Sequence, residues 1–330
     1  MKKIKFIFKK FFSLNYKKMF ETAKEIHKKT KKSRIYLFFD MIKCAAKYGA
    51  GYTDYYVFGF YDLNKKQRST YLTIGINNGL VNKYNPKEYR SLFDDKIKFN
   101  QLFNGFLKRD WLDIRDNEIE FEKFISKHEK IAAKLLDECG GTGFEIIDIK
   151  KYKSSDELYK YLIDTKHFLI EEVAVQHNDL SRLYPKSINT VRIITVQSGG
   201  KLNFITAFLR IGNGGIVDNT GAGGMLSMID FENGELKFAA VDEELNVYEK
   251  HPSSGLKIKG FKIPYWGELL EFTRQLAETE PRLRYVGWDI AIGERGPMII
   301  EGNPYPAYMY QFSIFTPDKE GVLPAFKGLD

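Results

Sequence analysis

The chain predicts an α+β protein in which antiparallel hairpins and helices occupy separate runs, with a basic helical extension at its start. Three observations carry this. Residues 285–303, Y-V-G-W-D-I-A-I-G-E-R-G-P-M-I-I-E-G-N, hold two apolar runs around the turn-forming Gly293-Glu294-Arg295-Gly296, which is hairpin spacing. Residues 188–196 and 202–211 alternate apolar and polar positions on either side of Ser198-Gly199-Gly200-Lys201, a second hairpin. Residues 17–50 carry few breakers until Gly49 and Gly51, and residues 264–280 open near Pro264 and stop before Pro281, so both read as helix.

Taken in order, Ile4, Ile7, Phe8, Phe11 and Phe12 recur at helical spacing, with Lys2, Lys3, Lys5, Lys9 and Lys10 mostly elsewhere on the wheel. Such a basic amphipathic arm, residues 1–34, suits peripheral contact with an anionic membrane, and equally a helix docked on the protein with a solvated lysine face. Residues 35–95 form a helical and mixed region in which residues 71–76 resemble a strand, and Asp95-Lys96 opens a further helix. Over residues 118–138, Phe121, Phe124, Ile125, Ile131, Leu135 and Leu136 describe one helix stopped by Gly140-Gly141. Ser154 to Glu157 matches a capping box, S-x-x-E, for a helix to about Asp164, and residues 167–173 follow as a strand. Residues 212–224, G-N-G-G-I-V-D-N-T-G-A-G-G, are too glycine-rich for packed regular structure and read as a substrate loop or a solvated one. Asn233-Gly234 marks a hairpin between residues 228–231 and 236–241.

Composition narrows the function classes. The net charge of +8 suggests a nucleic-acid or membrane partner, but residues 1–34 hold 13 Lys or Arg against Glu21 and Glu25, a balance of +11, so the other 296 residues sum to −3. A nearly neutral body has no obvious phosphate-tracking surface, and no nucleic-acid partner is expected. Cys44 and Cys139 have neither ligand spacing nor a disulfide framework, which fits a reducing, cytoplasmic location, with the arm at the inner face of the plasma membrane. No apolar run approaches the roughly 18–20 residues that cross a bilayer, and the lysines within the first apolar run make a poor signal peptide.

The chemistry concentrates in the 285–303 hairpin. Pairing back from its turn brings Asp289 within about one residue of opposite Glu301. Two facing carboxylates among Ile and Trp repel and lose hydration, and a divalent cation would compensate them. Glu301 and Asn303, two apart on a strand, project from one face and suit Mg²⁺, which takes carboxylate and amide oxygens, water and nucleotide phosphates. The bland alternative is a pair of exposed edge charges and an Asn that ends the strand before Pro304. Arg192 shares a face with Ile194 and Val196, and an arginine on a core strand needs an anion, either a phosphoryl group or a structural carboxylate.

A strand ending in Asp289 followed by the strand Glu301-Gly302-Asn303-Pro304 resembles the magnesium-binding end of the ATP-grasp superfamily. Ser187-Ile188-Asn189-Thr190-Val191-Arg192, Val217-Asp218-Asn219 with Gly223-Gly224, and Gly287-Trp288-Asp289 resemble the sugar-transfer-associated ATP-grasp family over roughly residues 55–310. The resemblance implies an ATP-grasp fold of two α+β lobes gripping ATP, with residues 96–175 as the small lobe and its glycine lid and residues 176–330 as the large lobe with the Mg²⁺ site. It replaces the single helix over residues 118–138 by a strand at 130–136, a glycine loop at Gly140-Gly141-Thr142-Gly143 and a strand at 144–149. It makes Lys96 and Lys134 phosphate ligands, with Gly140, Gly141 and Gly143 closing over the phosphates. It makes Glu171, Glu172 and the backbone of Val173 and Ala174 adenine contacts, and puts His177, Asn178 and Asp179 near the ribose. Substrate would meet Asn189, Arg192, Asp218, Asn219, Gly223 and Gly224, with Arg192, Lys134 and Asn303 catalytic and Asp289, Glu301 and Asn303 on the metal.

The reaction so implied is an ATP- and Mg²⁺-dependent carboxylate–amine ligation through an acyl-phosphate. Its substrates are a small-molecule carboxylate and an amine, with a sugar acid or a nucleotide- or lipid-linked sugar in cell-surface polysaccharide assembly as the acceptor. A kinase acting on a sugar hydroxyl is the alternative, and a scaffold without turnover is a third class. The chain lacks G-x-x-x-x-G-K-[ST], so it has no P-loop.

Overall fold

The computed structural model describes residues 15–115, 117–136 and 143–329. The chain forms two compact units, Met1–Lys83 with Ala307–Asp330, and Tyr84–Pro306.

The first unit is helical. The expected helix over residues 17–50 is two helices, α1 (Tyr16–Thr30) and α2 (Arg34–Tyr48). Lys31 turns left-handed at φ 61° and returns its N–H to His27 O at 2.8 Å, and the Ser33 hydroxyl caps α2, so three residues suffice to reverse the chain. Met19, Ala23 and Ile26 then pack against Leu37, Met41 and Cys44; Tyr55 of α3 (Tyr52–Val57), Phe58 and Phe60 just beyond it, and Tyr71 after α4 (Lys65–Arg68) join the same core. Inside it Arg68 grips Asp40 with two bonds of 3.0 and 2.6 Å while Tyr55 donates to the same carboxylate.

Residues 71–76 are not a strand. Residues 74–84 form α5 (Ile74–Tyr84), because the Asp54 carboxylate accepts from Ile74 N at 3.0 Å and fixes a helix start that short-range alternation does not report. Gly75 is required there, since a Cβ would lie 2.8 Å from Gly49 O. The C-terminal residues complete this unit: Gln311 accepts from Leu72 N and donates to Leu72 O, at 3.0 and 2.8 Å.

The second unit opens with α6 (Lys87–Asp94), α7 (Lys96–Leu102) and α8 (Asn104–Leu107), with Asp95 capping α7 as the sequence predicts. A four-stranded antiparallel sheet follows in the order β1-β4-β2-β3, from β1 (Trp111–Asp113), β2 (Lys130–Lys134), β3 (Phe144–Asp148) and β4 (Leu169–Glu172). The ambiguous stretch 118–138 divides: α9 (Glu118–Ile125) takes its first part, and β2 takes residues 130–134. β2 pairs with both β3 and β4, and hydrogen bonds on two sides outweigh a helical period of apolar residues. α9 and α10 (Ser155–Asp164), the latter capped by Ser154, bury Phe121, Phe124, Leu158 and Leu162 with Ile131, Ala133, Ile147 and Ile170.

The larger sheet is antiparallel in the order β11-β10-β5-β6-β7-β8-β9, comprising β5 (Val191–Ser198), β6 (Lys201–Ile211), β7 (Met225–Met228), β8 (Ala240–Asp242), β9 (Val247–Tyr248), β10 (Tyr285–Gly293) and β11 (Gly296–Asn303). Both predicted hairpins are present, and the turn at Asn233-Gly234 is held by Gly234 N to Asp230 O at 2.8 Å. Between the sheets in sequence lies α11 (Asn178–Leu183), a short helix that periodicity does not reveal, and α12 (Trp266–Thr279) follows β9. Leu269, Phe272 and Leu276 of α12 join Val286, Trp288, Ile290, Phe93, Phe99 and Phe103 in the main core. Each such buried side chain contributes about 1.5–3 kcal/mol.

Candidate active site

Strand register builds the site. Asp289 on β10 lies opposite Glu301 on β11 and, across its other edge, opposite Arg192 on β5. The register of β10 and β11 shifts between Asp289 and Ile290, and this bulge sets Glu301 against Asp289 while Ile290 returns to Ile299. Asp289 is buried and ion-paired to Arg192 through both carboxylate oxygens. It also accepts from Arg210 at 2.6 Å. Arg210 donates a second bond of 2.9 Å to Asp218, whose other oxygen accepts from Thr190 N at 2.8 Å and from its hydroxyl at 2.5 Å.

Three carboxylates therefore face two guanidiniums. Burial works to raise Asp289, but Arg192 and Arg210 outweigh it and hold the carboxyl well below the usual carboxylate range. For Asp218 burial prevails over Arg210 and the Thr190 bonds, and the carboxyl is raised. Glu301 is the group left over. Its side chain is half exposed and lies 3.7 Å from Arg192. Desolvation, then the Asp289 charge beside it, push it up to about 7.

This donor set fits a hard divalent cation. Glu301 and Asn303 share a face of β11, all the available donors are oxygens, and three carboxylates stand against two guanidiniums, Glu301 having only the longer 3.7 Å contact to Arg192. Asn303 is oriented by Tyr305 N, which donates to its Oδ1 at 2.8 Å. Among the described residues no group of three His, Cys, Asp or Glu could hold an ion alone, so a cation here would draw on Asn303, water and phosphate oxygens.

A second cluster sits on the smaller sheet. Glu171 on β4 is buried and accepts from Arg109 at 2.8 Å, Lys134 at 2.7 Å and Asn100 at 2.9 Å. Burial opposes ionisation, yet Arg109 and Lys134 hold its carboxyl far below the usual range. Burial lowers the Lys134 ammonium below its ordinary value, with Glu171 opposing and Arg109 adding to the effect. The Glu301 charge also acts on Lys134, so the two clusters share an electrostatic field. Arg109 ties them physically, donating to Ile299 O on β11 at 2.6 Å.

The remaining sequence-predicted residues distribute as follows. Lys96 donates to Leu136 O at 3.1 Å, two residues beyond the end of β2. Gly140 and Gly141 lie outside the described residues; Gly143, at φ 66°, packs so closely that a Cβ would overlap Leu135. The Glu172 carboxylate accepts from Asp110 N at 3.2 Å, and Val173 and Ala174 follow β4 half-buried. Asp179 stands in the first turn of α11, 3.5 Å from Arg182, with His177 as the cap. Asn189 is fully buried and bonded to Gln176, Leu180 O, Tyr184 O and Gly212 N, so its amide is engaged in holding the framework under the glycine-rich loop. Asn219 caps a short turn through Gly221 N, Gly223 closes it at φ 90°, and Gly224 lies where a Cβ would be 2.3 Å from Asp218 O. Loop residues 218–224 are thus anchored to the arginine cluster through Asp218.

Sequence reasoning missed Arg210, Arg109, Asn100 and Thr190. Arg210 carried the same signal as Arg192, a cation within an alternating core run. Arg109 carried none, because Lys108-Arg109-Asp110 reads as a solvated charge run.

The sugar-transfer associated ATP-grasp family matches residues 76–316, well over half of the chain. No curated protein shows a match. Among solved structures, the chain is similar to D-alanyl-alanine synthetase A from Vibrio cholerae, at 11% identity and TM-score 0.40, covering 69% of this chain and 59% of that one. It is also similar to the ATP-grasp ligase PsnB complexed with precursor peptide PsnA2 and AMPPNP, at 14% identity and TM-score 0.41, covering 71% and 57%. A third is D-alanine-D-alanine ligase from Helicobacter pylori, at 13% identity and TM-score 0.38, covering 71% and 60%. The chain spans less than two thirds of the length of these three structures.

Proposed function

The chain belongs to the sugar-transfer associated ATP-grasp family, and we propose that it is an ATP-dependent ligase that joins a carboxylate to an amine. The observation that carries this reading is the set Asp289, Glu301, Asn303, Arg192 and Arg210 at adjoining positions of four neighbouring strands, with Lys134 within their field. Such a set has positive charge and oxygen donors but no activated protein nucleophile, which is what phosphoryl transfer between two substrates requires.

In this reading a substrate carboxylate oxygen attacks the γ-phosphorus of ATP, the bond to the β–γ bridging oxygen breaks, and ADP leaves. An amine then attacks the acyl-phosphate carbon, loses a proton, and displaces inorganic phosphate. Lys134 exchanges Glu171 for phosphate oxygens, Arg109 and Asn100 keeping Glu171 ionised and in place. Arg192 and Arg210 are held at fixed angles by Asp289 and Asp218, so they meet developing negative charge without having to reorganise. Mg²⁺ held by Glu301, Asn303 and Asp289 would supply further charge neutralisation at the phosphates. The adenine contacts along Glu171 to Ala174 belong to the same proposal.

For substrates, the family's sugar-transfer association supports an amino compound and a sugar acid or related carboxylate, including a nucleotide- or lipid-linked one, in cell-surface polysaccharide assembly. The experiment is ATP and Mg²⁺ turnover over a pool of sugar acids and amines with hydroxylamine added, and products read by mass. A hydroxamate together with ADP is the expected result. A stable phosphorylated sugar without hydroxamate would instead identify a kinase. Glu301→Ala is expected to lower ATP turnover by about 10²–10³-fold, and undiminished turnover would refute the metal assignment.

A further inference from the structure

The helices α1 and α2 carry large apolar side chains on their outside. Phe20 is 56% exposed, Ile35 69%, Tyr36 55% and Phe39 63%, whereas Met19, Ile26, Leu37 and Met41 of the same helices are buried. The outward rings are contiguous: Phe38 stands 5.8 Å from Phe20, 6.3 Å from Tyr16 and 5.7 Å from Phe39 between ring centroids. Scattered single apolar residues on a surface need no explanation, but a joined aromatic patch does.

Its surroundings say what it fits. Residues 15–48 contain ten Lys or Arg against Glu21, Glu25 and Asp40, and Asp40 is buried on Arg68 while Glu21 is paired with Lys18 at 3.4 Å. Helical spacing sets Lys17 and Lys24 three before and four after Phe20, and Lys43 four after Phe39, all exposed. Aromatic rings ringed by lysines match a surface whose interior is apolar and whose boundary is negatively charged. Residues 1–14, M-K-K-I-K-F-I-F-K-K-F-F-S-L, which precede α1 in sequence, have the same composition of aromatic residues and lysines.

We propose that the face formed by Phe20, Ile35, Tyr36 and Phe39 is a docking surface for an anionic lipid bilayer, the rings entering the interface and Lys17, Lys24 and Lys43 meeting headgroup phosphates. This stands apart from the ligase reading, because none of these residues belongs to the candidate active site.

The test uses the full chain with vesicles of phosphatidylcholine alone or with phosphatidylglycerol, read by co-sedimentation. Wild type is expected to bind only the anionic vesicles and to be released by salt. Phe20→Ser with Phe39→Ser, and separately Lys17→Gln with Lys24→Gln and Lys43→Gln, should each weaken binding by about tenfold or more at unchanged melting temperature. Vesicle-free ATP turnover should be unaffected in both, which keeps this result distinct from that of the ligase assay. Undiminished binding by the Phe variant, equal binding to neutral vesicles, or no binding by wild type would overturn the proposal. So would covalent footprinting that finds Phe20 and Phe39 already protected without vesicles, since the occupant would then be the chain itself or a second copy.

Discussion

At Glu171 three donors from three different segments converge on one buried carboxylate, and the consequence is a strong dependence on each of them. Removing Arg109 leaves Lys134 and Asn100 to satisfy the charge and opens the link to Ile299 O, so Arg109→Ala is expected to cost about 3 kcal/mol. A shift in denaturant midpoint at constant m-value measures it. The pH dependence follows from sign. The folded carboxyl of Glu171 lies far below its ordinary value of 4.5, so its contribution is present above that value and is lost as pH falls through the folded one. Wild-type stability should therefore decline more steeply below about pH 4 than that of Arg109→Ala, in which the depression is smaller. Equal slopes in the two proteins would contradict this account of the cluster.

Among the elements, β11 has little room for change at Gly302. Gly302 sits between the two proposed metal ligands, and a Cβ there would approach the rings of Phe93 and Phe99 at 2.8 and 2.9 Å. Both rings are buried in the main core against Trp288 and Phe103 and have no free direction of retreat. Gly302→Ala is thus expected to lose about 1–3 kcal/mol by overpacking and to displace Glu301 and Asn303 together. Thermal unfolding and ATP turnover would both fall; a variant with wild-type stability would show that the strand can shift outward. The bulge at Asp289/Ile290 has the same positional meaning, since without it Glu301 would turn to the other face of its strand.

On the scale of the molecule, the helical unit is assembled from both ends of the chain. Gln311 brackets Leu72, Tyr71 donates to Thr316 at 3.0 Å, and Leu323 N reaches Thr70 O at 2.9 Å. Deleting residues 307–330 should therefore raise hydrogen exchange at residues 70–74 and lower the melting temperature of α1 to α4, while the β10–β11 hairpin keeps its protection; unchanged exchange at residues 70–74 would refute this. Much of the fold was legible because it is locally encoded. The hairpin turns, the Asp95 and Ser154 caps and the alternation of β5 and β6 depend on residues a few positions apart, and counting back from Gly293 and Gly296 brings Asp289 within one residue of Glu301, the bulge supplying the last step. The sequence by itself therefore determined the family, the α+β class, the main hairpins and the proximity, to within a residue, of Asp289 and Glu301. Tertiary structure alone decided three other things: that residues 74–84 are helix, because Asp54 caps them from 20 positions away; that Arg210 and Asp218 join Arg192 and Asp289 in one network; and that Arg109 is a buried strut. Each rests on hydrogen bonds between residues far apart along the chain, and a buried charge is recognisable only once its partners are in place.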